Sequence, residues 1–136
     1  MKIVIAGAGD VGSHLAKLLA SESHDIYLID RSEDNLNAVS SQIDVFTITG
    51  DAKSVEIMEH KLIESCDLLI AVTSSEETNM LICILGKKLG AKRTIARIND
   101  VNIVKEGKEH FYHDLGIDTL ISPTHLATLE IKRLIN

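Results

Sequence analysis

The sequence predicts an α/β fold, with a doubly wound, parallel, six-stranded sheet covered by helices in a single domain over residues 1–136. Short runs rich in Ile, Leu and Val alternate along the chain with amphipathic stretches of helical spacing, which is the pattern of repeated strand-helix units. The length of 136 residues and the apolar share of 45% suit one globular domain. Because aromatic residues make up only 3% of the chain, the core must be built from aliphatic side chains.

Six short apolar runs are predicted as the strands of this sheet. They span residues 3–6, 26–29, 45–48, 68–72, 94–98 and 119–121. The fourth run is the most apolar, and a strand with no polar side is covered on both faces. It is therefore predicted to lie at the centre of the sheet.

Helices are predicted between the strands, each introduced by a recognisable start signal. Ser32 can cap the second helix, Ser74 and Glu77 form a capping-box pattern before the fourth, and Ser122 with Pro123 precedes the last. The fourth helix is predicted to turn Leu81, Ile84, Leu85 and Leu89 inward. The other predicted helices span residues 11–21, 33–41, about 54–60, about 102–114 and about 124 to the end.

Composition argues against several classes of partner. A net charge of −6 argues against nucleic acid, because phosphate contacts need clustered Lys and Arg. No apolar run reaches the roughly 18 residues that a membrane span needs.

Cys66 and Cys83 lack metal or redox spacing and are predicted to be buried, reduced thiols, as in a cytoplasmic protein. His110 and His113 lie one helical turn apart on a highly charged helix, so no metal site is predicted there.

A glycine-rich loop follows the first predicted strand and opens the first helix. Residues 7–12 read G-x-G-x-x-G, the dinucleotide-binding fingerprint of the Rossmann-type fold. In this pattern Gly7 permits the turn, Gly9 lets a pyrophosphate approach the backbone, and Gly12 lets the helix pack closely on the strand. The helix amides then point at the anion. The candidate contacts are Gly7, Ala8, Gly9, Asp10 and Val11.

Asp30 ends the second predicted strand, roughly 20 residues after the glycines, where a carboxylate accepts hydrogen bonds from ribose hydroxyls. The same negative charge would repel the 2′-phosphate of NADP, so Asp30 favours NAD or NADH over NADP. Arg31 weakens this preference, since an Arg can partner a 2′-phosphate or stack on adenine. The alternative role for Asp30 is that of a turn residue at the strand end.

Polar residues also follow the next three strands, each with two roles open. Asp51 could accept a hydrogen bond from the adenine amino group or cap the following helix. Thr73 and Ser74 could reach a phosphate or the nicotinamide side, or Ser74 could simply cap its helix. Arg97 could face a phosphate or pair with a carboxylate such as Asp51 or Glu77.

Nothing in the sequence predicts catalysis by this chain. It contains no arrangement of nucleophile and base, no acidic pair and no Tyr/Lys reductase motif, and no second domain to hold a substrate. A nucleotide-binding domain without catalytic residues or a substrate-binding domain is typical of a sensor. The alternative is the cofactor-binding half of an NAD-dependent dehydrogenase or dehydratase.

Several runs of this chain together carry a family resemblance: the glycine loop and residues 28–30, 49–52, 68–80, 92–98 and 115–123. They closely resemble the N-terminal nucleotide-binding domains of Trk potassium-uptake regulatory proteins (TrkA), a family also known as KTN or RCK-N domains. Residues 71–80 are the most specific, because ordinary dehydrogenases lack them. The resemblance implies ligand contacts at residues 7–11 and at Asp30, Asp51, Thr73, Ser74 and Arg97. It also implies that Asn79 fixes the loop at Thr73.

The resemblance further implies a cytoplasmic regulator, peripheral on the inner membrane face, that binds NAD(H), or ADP or ATP in relatives. Its partner would be the membrane potassium-translocating subunit of a Trk system, with a channel or antiporter as the alternative. Asp10 departs from the Arg or Gln that many members carry, which puts triphosphate binding in doubt. Thr124 replaces a Glu in the common pattern, which puts a cation site there in doubt.

The last predicted helix carries apolar residues around more than half of its circumference. They are Leu126, Ala127, Leu129, Ile131, Leu134 and Ile135. One sheet face can cover only one stripe of a helix, so the remaining apolar surface needs a partner. A homodimer or higher oligomer is therefore predicted.

Overall fold

The computed structural model describes residues 1–54, residue 56, residues 61–99 and residues 107–122. These residues form a six-stranded sheet in which every strand pair is parallel. The strands are β1 (Lys2–Ala6), β2 (Asp25–Asp30), β3 (Phe46–Thr49), β4 (Leu68–Ala71), β5 (Thr94–Arg97) and β6 (Thr119–Ile121). The predicted fold class is confirmed.

The strand order is β3-β2-β1-β4-β5-β6, which is the order of the Rossmann fold. The chain builds outward from β1 to β3 and then returns to place β4 on the other side of β1. β1 and β4 are therefore the central strands, as predicted for the most apolar run. The order reverses between them, and this reversal opens a crevice at the carboxyl ends of the strands.

The described helices are α1 (Asp10–Ala20), α2 (Glu33–Ser40), α3 (Lys61–Glu64), α4 (Glu76–Lys88) and α5 (Glu109–Asp114). Two apolar clusters cover the two faces of the sheet. On one face, strand residues such as Ile5 and Ile70 pack with Leu15 of α1 and Leu36 of α2. On the other face, residues such as Val4 and Leu69 pack with α3 and α4. This division follows from the alternation of side chains along each strand.

Several predicted boundaries differ from those observed. β3 begins and ends one residue later than predicted, and β4 and β5 each end one residue earlier. Gly107 and Lys108, inside a predicted helix, are not helical. Residues 57–60 and 102–106 and the predicted last helix, from Thr124 onward, lie outside the described residues.

The predicted inward face of α4 is confirmed in part. Ile84, Leu85 and Leu89 are partly buried against the core, whereas Leu81 is 42% exposed. The most buried residues of the helix are Asn79, Ile82, Cys83 and Gly86. Apolar spacing misled the prediction because this face includes an asparagine and a glycine. The capping residue is likewise Ser75 rather than Ser74, since the Ser75 hydroxyl accepts a hydrogen bond from the Thr78 amide.

The two cysteines are buried free thiols, as predicted. Burial raises the pKa of Cys66 to about 11 and that of Cys83 to about 12. Both thiols are therefore protonated at neutral pH, and a protonated thiol is a weak nucleophile. Within the described residues, no helix combines the length and the apolar character needed to cross a bilayer.

Candidate functional site

The glycine loop between β1 and α1 has the geometry that its motif requires. Gly7 has a φ of +110°, which L side chains rarely adopt, and a Cβ there would lie 3.0 Å from the Thr73 amide nitrogen. A Cβ on Gly12 would lie 1.7 Å from the Gly7 carbonyl oxygen, so no larger residue fits. A Cβ on Gly9 would meet nothing within 4 Å, because this glycine faces open space. The first and third glycines thus serve the fold, and the second leaves room for a ligand.

The amino-terminal end of α1 presents unpaired amides beside that open space. The first hydrogen bond of the helix runs from the Ser13 amide to the Gly9 carbonyl, so the amides of Asp10, Val11 and Gly12 precede it. Within the described part of the chain, no side chain caps this end. Such amides, together with the helix dipole, attract an anion. Asp10 itself is exposed at the first helical position.

The Asp30 carboxylate lies at the carboxyl end of β2 and contacts the glycine loop. Its Oδ1 accepts a hydrogen bond from the Ala8 amide at 2.9 Å, and its Oδ2 accepts one from the Ser32 amide at 2.8 Å. Asn35 Nδ2 makes a third, longer contact with Oδ2 at 3.5 Å. A carboxylate offers about four lone-pair positions, so about one remains free beside these three donors. Asp30 therefore joins the loop to the start of α2 and can still accept from a ribose hydroxyl.

Asp51 follows β3, the strand that pairs with β2, and its carboxylate contacts two cations. Its Oδ2 lies 2.7 Å from Arg31 Nη2 and 3.2 Å from Lys53 Nζ, and its Oδ1 accepts from the Lys53 amide at 2.9 Å. The Lys53 amide lowers the pKa of Asp51 to about 2, assisted by the Arg31 and Lys53 side chains and opposed by partial burial. Asp51 is therefore an ionised acceptor at neutral pH and also fixes the turn after β3.

Thr73 and Ser74 follow β4 on the other side of the crevice. The Thr73 amide and hydroxyl both donate to Asn79 Oδ1, at 2.8 and 2.6 Å, and Asn79 Nδ2 donates to the Thr73 carbonyl at 3.0 Å. The expected role of Asn79 in fixing this loop is thus seen directly in the geometry. Ser74 is exposed, and its hydroxyl has no protein partner within the part of the chain that the structure describes.

Arg97 does not pair with Asp51 or Glu77, which corrects one of its two predicted roles. Asp51 is held by Arg31 and Lys53, and Glu77 accepts from the Ser75 hydroxyl. Arg97 ends β5 and is half-buried, on the same sheet face as α1 because side chains alternate along the strand. Its Nε is buried and has no hydrogen-bond partner among the residues that the structure describes. An unpaired buried donor is costly, so an external acceptor would stabilise it.

An open cleft of about 380 Å³ lies at the carboxyl ends of the strands. This volume falls within the roughly 300–1,000 Å³ of small-molecule sites. The predicted residues that line it are Gly7, Asp30, Asp51, Thr73 and Ser74. Ala8, Gly9, Asp10, Val11 and Arg97 do not line it, the first four lying on the adjoining loop and helix start and Arg97 at the end of β5.

The sequence reasoning missed several residues that line this cleft. Lys53 was missed although it follows Asp51 by two positions, and Thr78 and Ile82 were missed on the first turns of α4. Their spacing by four residues places Thr78 and Ile82 on one helix face, which was a usable signal. Among the described residues, no cluster of His, Cys, Asp and Glu could hold a metal ion.

The chain is similar to known proteins of one family. It matches the model of the TrkA-N domain family over residues 3–123. A Trk system potassium uptake protein TrkA homolog from Archaeoglobus fulgidus is 40% identical over 140 residues, covering 99% of this chain and 30% of that protein. A TrkA homolog from Methanothermobacter thermautotrophicus is 33% identical, covering 99% of this chain and 60% of the homolog. The chain belongs to the TrkA-N domain family and spans only part of these relatives.

Solved structures agree with the fold. The TrkA-N domain of the inner membrane protein ybaL from Escherichia coli is 19% identical, with a TM-score of 0.75, over 98% of this chain and 93% of that one. The GsuK channel bound to NAD is 15% identical, with a TM-score of 0.71, over 88% of this chain and 21% of that one. At these identities the likeness concerns the fold.

Proposed function

We propose that this chain is the nucleotide-sensing regulatory domain of a Trk-type potassium-uptake system. Within it, residues 1–136 form one domain that binds NAD or NADH, with ADP and ATP as further ligands, and transmits its occupancy to a membrane potassium-translocating subunit. The observation that carries the nucleotide-binding part is the meeting of the glycine loop with two carboxylates, Asp30 and Asp51, at one cleft.

The chemistry of the groups around the cleft supports one position of the ligand. The pyrophosphate would lie over Gly9, against the free amides at the start of α1. The adenosine ribose would donate to the free lone pair of Asp30. The adenine would reach the ionised Asp51, which can accept from its amino group but would repel the carbonyl oxygen of guanine.

The remaining predicted contacts lie on the other half of the site. Thr73 and Ser74 flank the cleft from β4, and the exposed Ser74 hydroxyl is available to a phosphate or to the nicotinamide side. Arg97 lies outside the cleft, at the end of β5, and its unpaired Nε could donate a hydrogen bond to an acceptor on the second nucleotide of a dinucleotide. The site thus holds binding groups rather than a nucleophile and base.

The transporter partner is inferred from family membership. The relatives named above are Trk potassium-uptake proteins, and a channel shares the fold. We infer a cytoplasmic domain, peripheral on the membrane through its partner, that acts as a homodimer or higher oligomer. A channel or antiporter partner remains the alternative within the same class of function.

Calorimetric titration with NADH tests the nucleotide-binding proposal. Asp30→Ala is expected to weaken binding by about ten- to a hundredfold, because a charge-assisted hydrogen bond contributes roughly 1.5–3 kcal/mol. Asp34→Ala is the matched control, since it removes an exposed carboxylate from the start of α2 without touching the cleft. Unchanged affinity in Asp30→Ala would refute the proposed ribose position.

A further inference from the structure

The sheet has a gap between β4 and β5 at its carboxyl edge, and Asn79 fills it. Backbone pairing of these two strands ends with Ala71 opposite Ala96. Beyond that pair, the Asn79 side chain bridges the strands, since its Nδ2 donates both to the Thr73 carbonyl and to the Arg97 carbonyl at 3.0 Å. Asn79 is 0% exposed although its side chain is polar. A side-chain amide thus takes the place of a missing backbone contact.

The orientation of this amide is determined by its partners. The Thr73 main-chain N–H can only donate, so Asn79 Oδ1 must face it, and both Nδ2 hydrogens then point to carbonyl oxygens. The opposite orientation would set donor against donor in a buried position, which is costly. Asn79 therefore links Thr73 and Arg97 in one fixed arrangement.

The link continues into β6 through a single peptide group. The Arg97 carbonyl and the Ile98 N–H belong to the same planar peptide unit, so they move together. The Ile98 N–H donates to the Ile121 carbonyl at 2.7 Å. A continuous series of amide hydrogen bonds thus runs from Thr73 through Asn79 and the exit of β5 to β6. Amides in such a series polarise one another.

One end of this series lies in the cleft, because Thr73 lines it. We propose that Asn79 is a positioning residue that couples nucleotide occupancy at Thr73 to the exit of β5 and to β6. The inference rests on the proposed function. A ligand that displaces the Thr73 peptide shifts the Asn79 amide, and through it the peptide between Arg97 and Ile98. The exit of β5 and β6 thereby respond to a ligand bound at the centre of the sheet.

Amide NMR with saturating NADH tests this coupling. In the parent chain, NADH is expected to shift the amides of Thr73 and Ile98 together with the side-chain NH₂ of Asn79. Asn79→Ala is expected to lose the Ile98 shift. Asn79→Asp, which keeps an acceptor for the Thr73 amide but lacks the two donors, is expected to keep the Thr73 shift and lose that of Ile98.

Two control variants separate this route from others. Thr94→Ala removes a buried hydroxyl that bonds the Gly116 carbonyl at the opposite end of β5, and it is expected to leave the Ile98 response intact. Asp34→Ala removes an exposed carboxylate from the start of α2, away from the cleft, and it is expected to leave the shifts of Thr73, Asn79 and Ile98 intact.

The outcomes distinguish the coupling from the proposed function. If NADH shifts no amide of the cleft, the proposed function fails. If it shifts Thr73 but neither the Asn79 side chain nor Ile98, the coupling is overturned, and this result needs only the parent chain. The coupling is also overturned if the Ile98 response survives in Asn79→Ala or disappears in Thr94→Ala.

Discussion

Asp10 stands at the first position of α1, where an anionic ligand would meet the free amides. A negative charge at this point opposes a further phosphate, although its exposure to solvent weakens the effect. NAD has no terminal phosphate, whereas ATP adds charge in this region. The residue therefore bears on which nucleotide the site prefers.

Replacing Asp10 by arginine is expected to shift the preference toward ATP. The parent should bind NADH or ADP more tightly than ATP, and Asp10→Arg should change the ratio of affinities by about three- to tenfold, because the pair is exposed and screened. Competition binding at physiological salt measures this, with and without magnesium, since the cation could bridge Asp10 to a phosphate. Tighter binding of ATP than of NADH by the parent without magnesium would contradict the electrostatic argument.

Single residues also show which parts of the site could be predicted from the sequence and which could not. Asp30 and Asp51 could be predicted because Asp30 ends β2 and Asp51 lies two residues after β3, and parallel strands bring their carboxyl ends to one edge. The pairing of Arg97 could not, since a sequence does not say which of several cations reaches a given carboxylate. Arg31 directly follows β2, which pairs with β3, and so it reaches Asp51 beyond the end of β3. Arg97 ends β5, which is separated from β3 by β2, β1 and β4.

At the scale of elements, the turn from β1 to α1 contains one glycine that the fold requires and another that leaves room for a ligand. Gly12 sits against the Gly7 carbonyl, while Gly9 faces open space with a φ of −74°, which any residue can adopt. The same small substitution therefore has different consequences at the two glycines. The two positions provide a matched pair.

Gly9→Ala is expected to leave thermal unfolding nearly unchanged and to weaken nucleotide binding strongly, because its methyl group would occupy the space of the pyrophosphate. Gly12→Ala is expected to destabilise the fold by about 1–3 kcal/mol, the usual cost of overpacking. Thermal unfolding and NADH titration of both variants measure the contrast. If Gly9→Ala binds NADH as the parent does, the pyrophosphate does not lie on this loop.

α4 shows why an element can be predicted while its orientation is missed. Its existence follows from capping signals and helical spacing, but its buried face includes Asn79 and Gly86. Hydropathy patterns assign such residues to the surface. Only the three-dimensional arrangement, in which Asn79 bonds to Thr73 and Arg97, explains why a polar side chain is buried there.

At the scale of the whole molecule, the fold was predictable because each strand and helix carries its own signal and the alternation admits few topologies. The oligomeric state depends on the apolar helix predicted from Thr124 onward, which lies outside the described residues. It remains a prediction from helical spacing.

Light scattering at micromolar concentration, with and without NADH, measures that state. The expected mass is at least twice the 14.9 kDa of the monomer. Leu129→Arg, which places a charge in the middle of the predicted apolar surface, should lower it. A monomer under both conditions would contradict the prediction of a dimer.

The most direct test of nucleotide sensing is a crystal structure of this chain grown with NADH. The account predicts the pyrophosphate on the amides of α1 over Gly9, the adenosine ribose on Asp30, and the adenine in the cleft between Asp51 and Thr73. NADH bound elsewhere on the chain, or an empty cleft at NADH concentrations that saturate known NAD-binding domains, would contradict it.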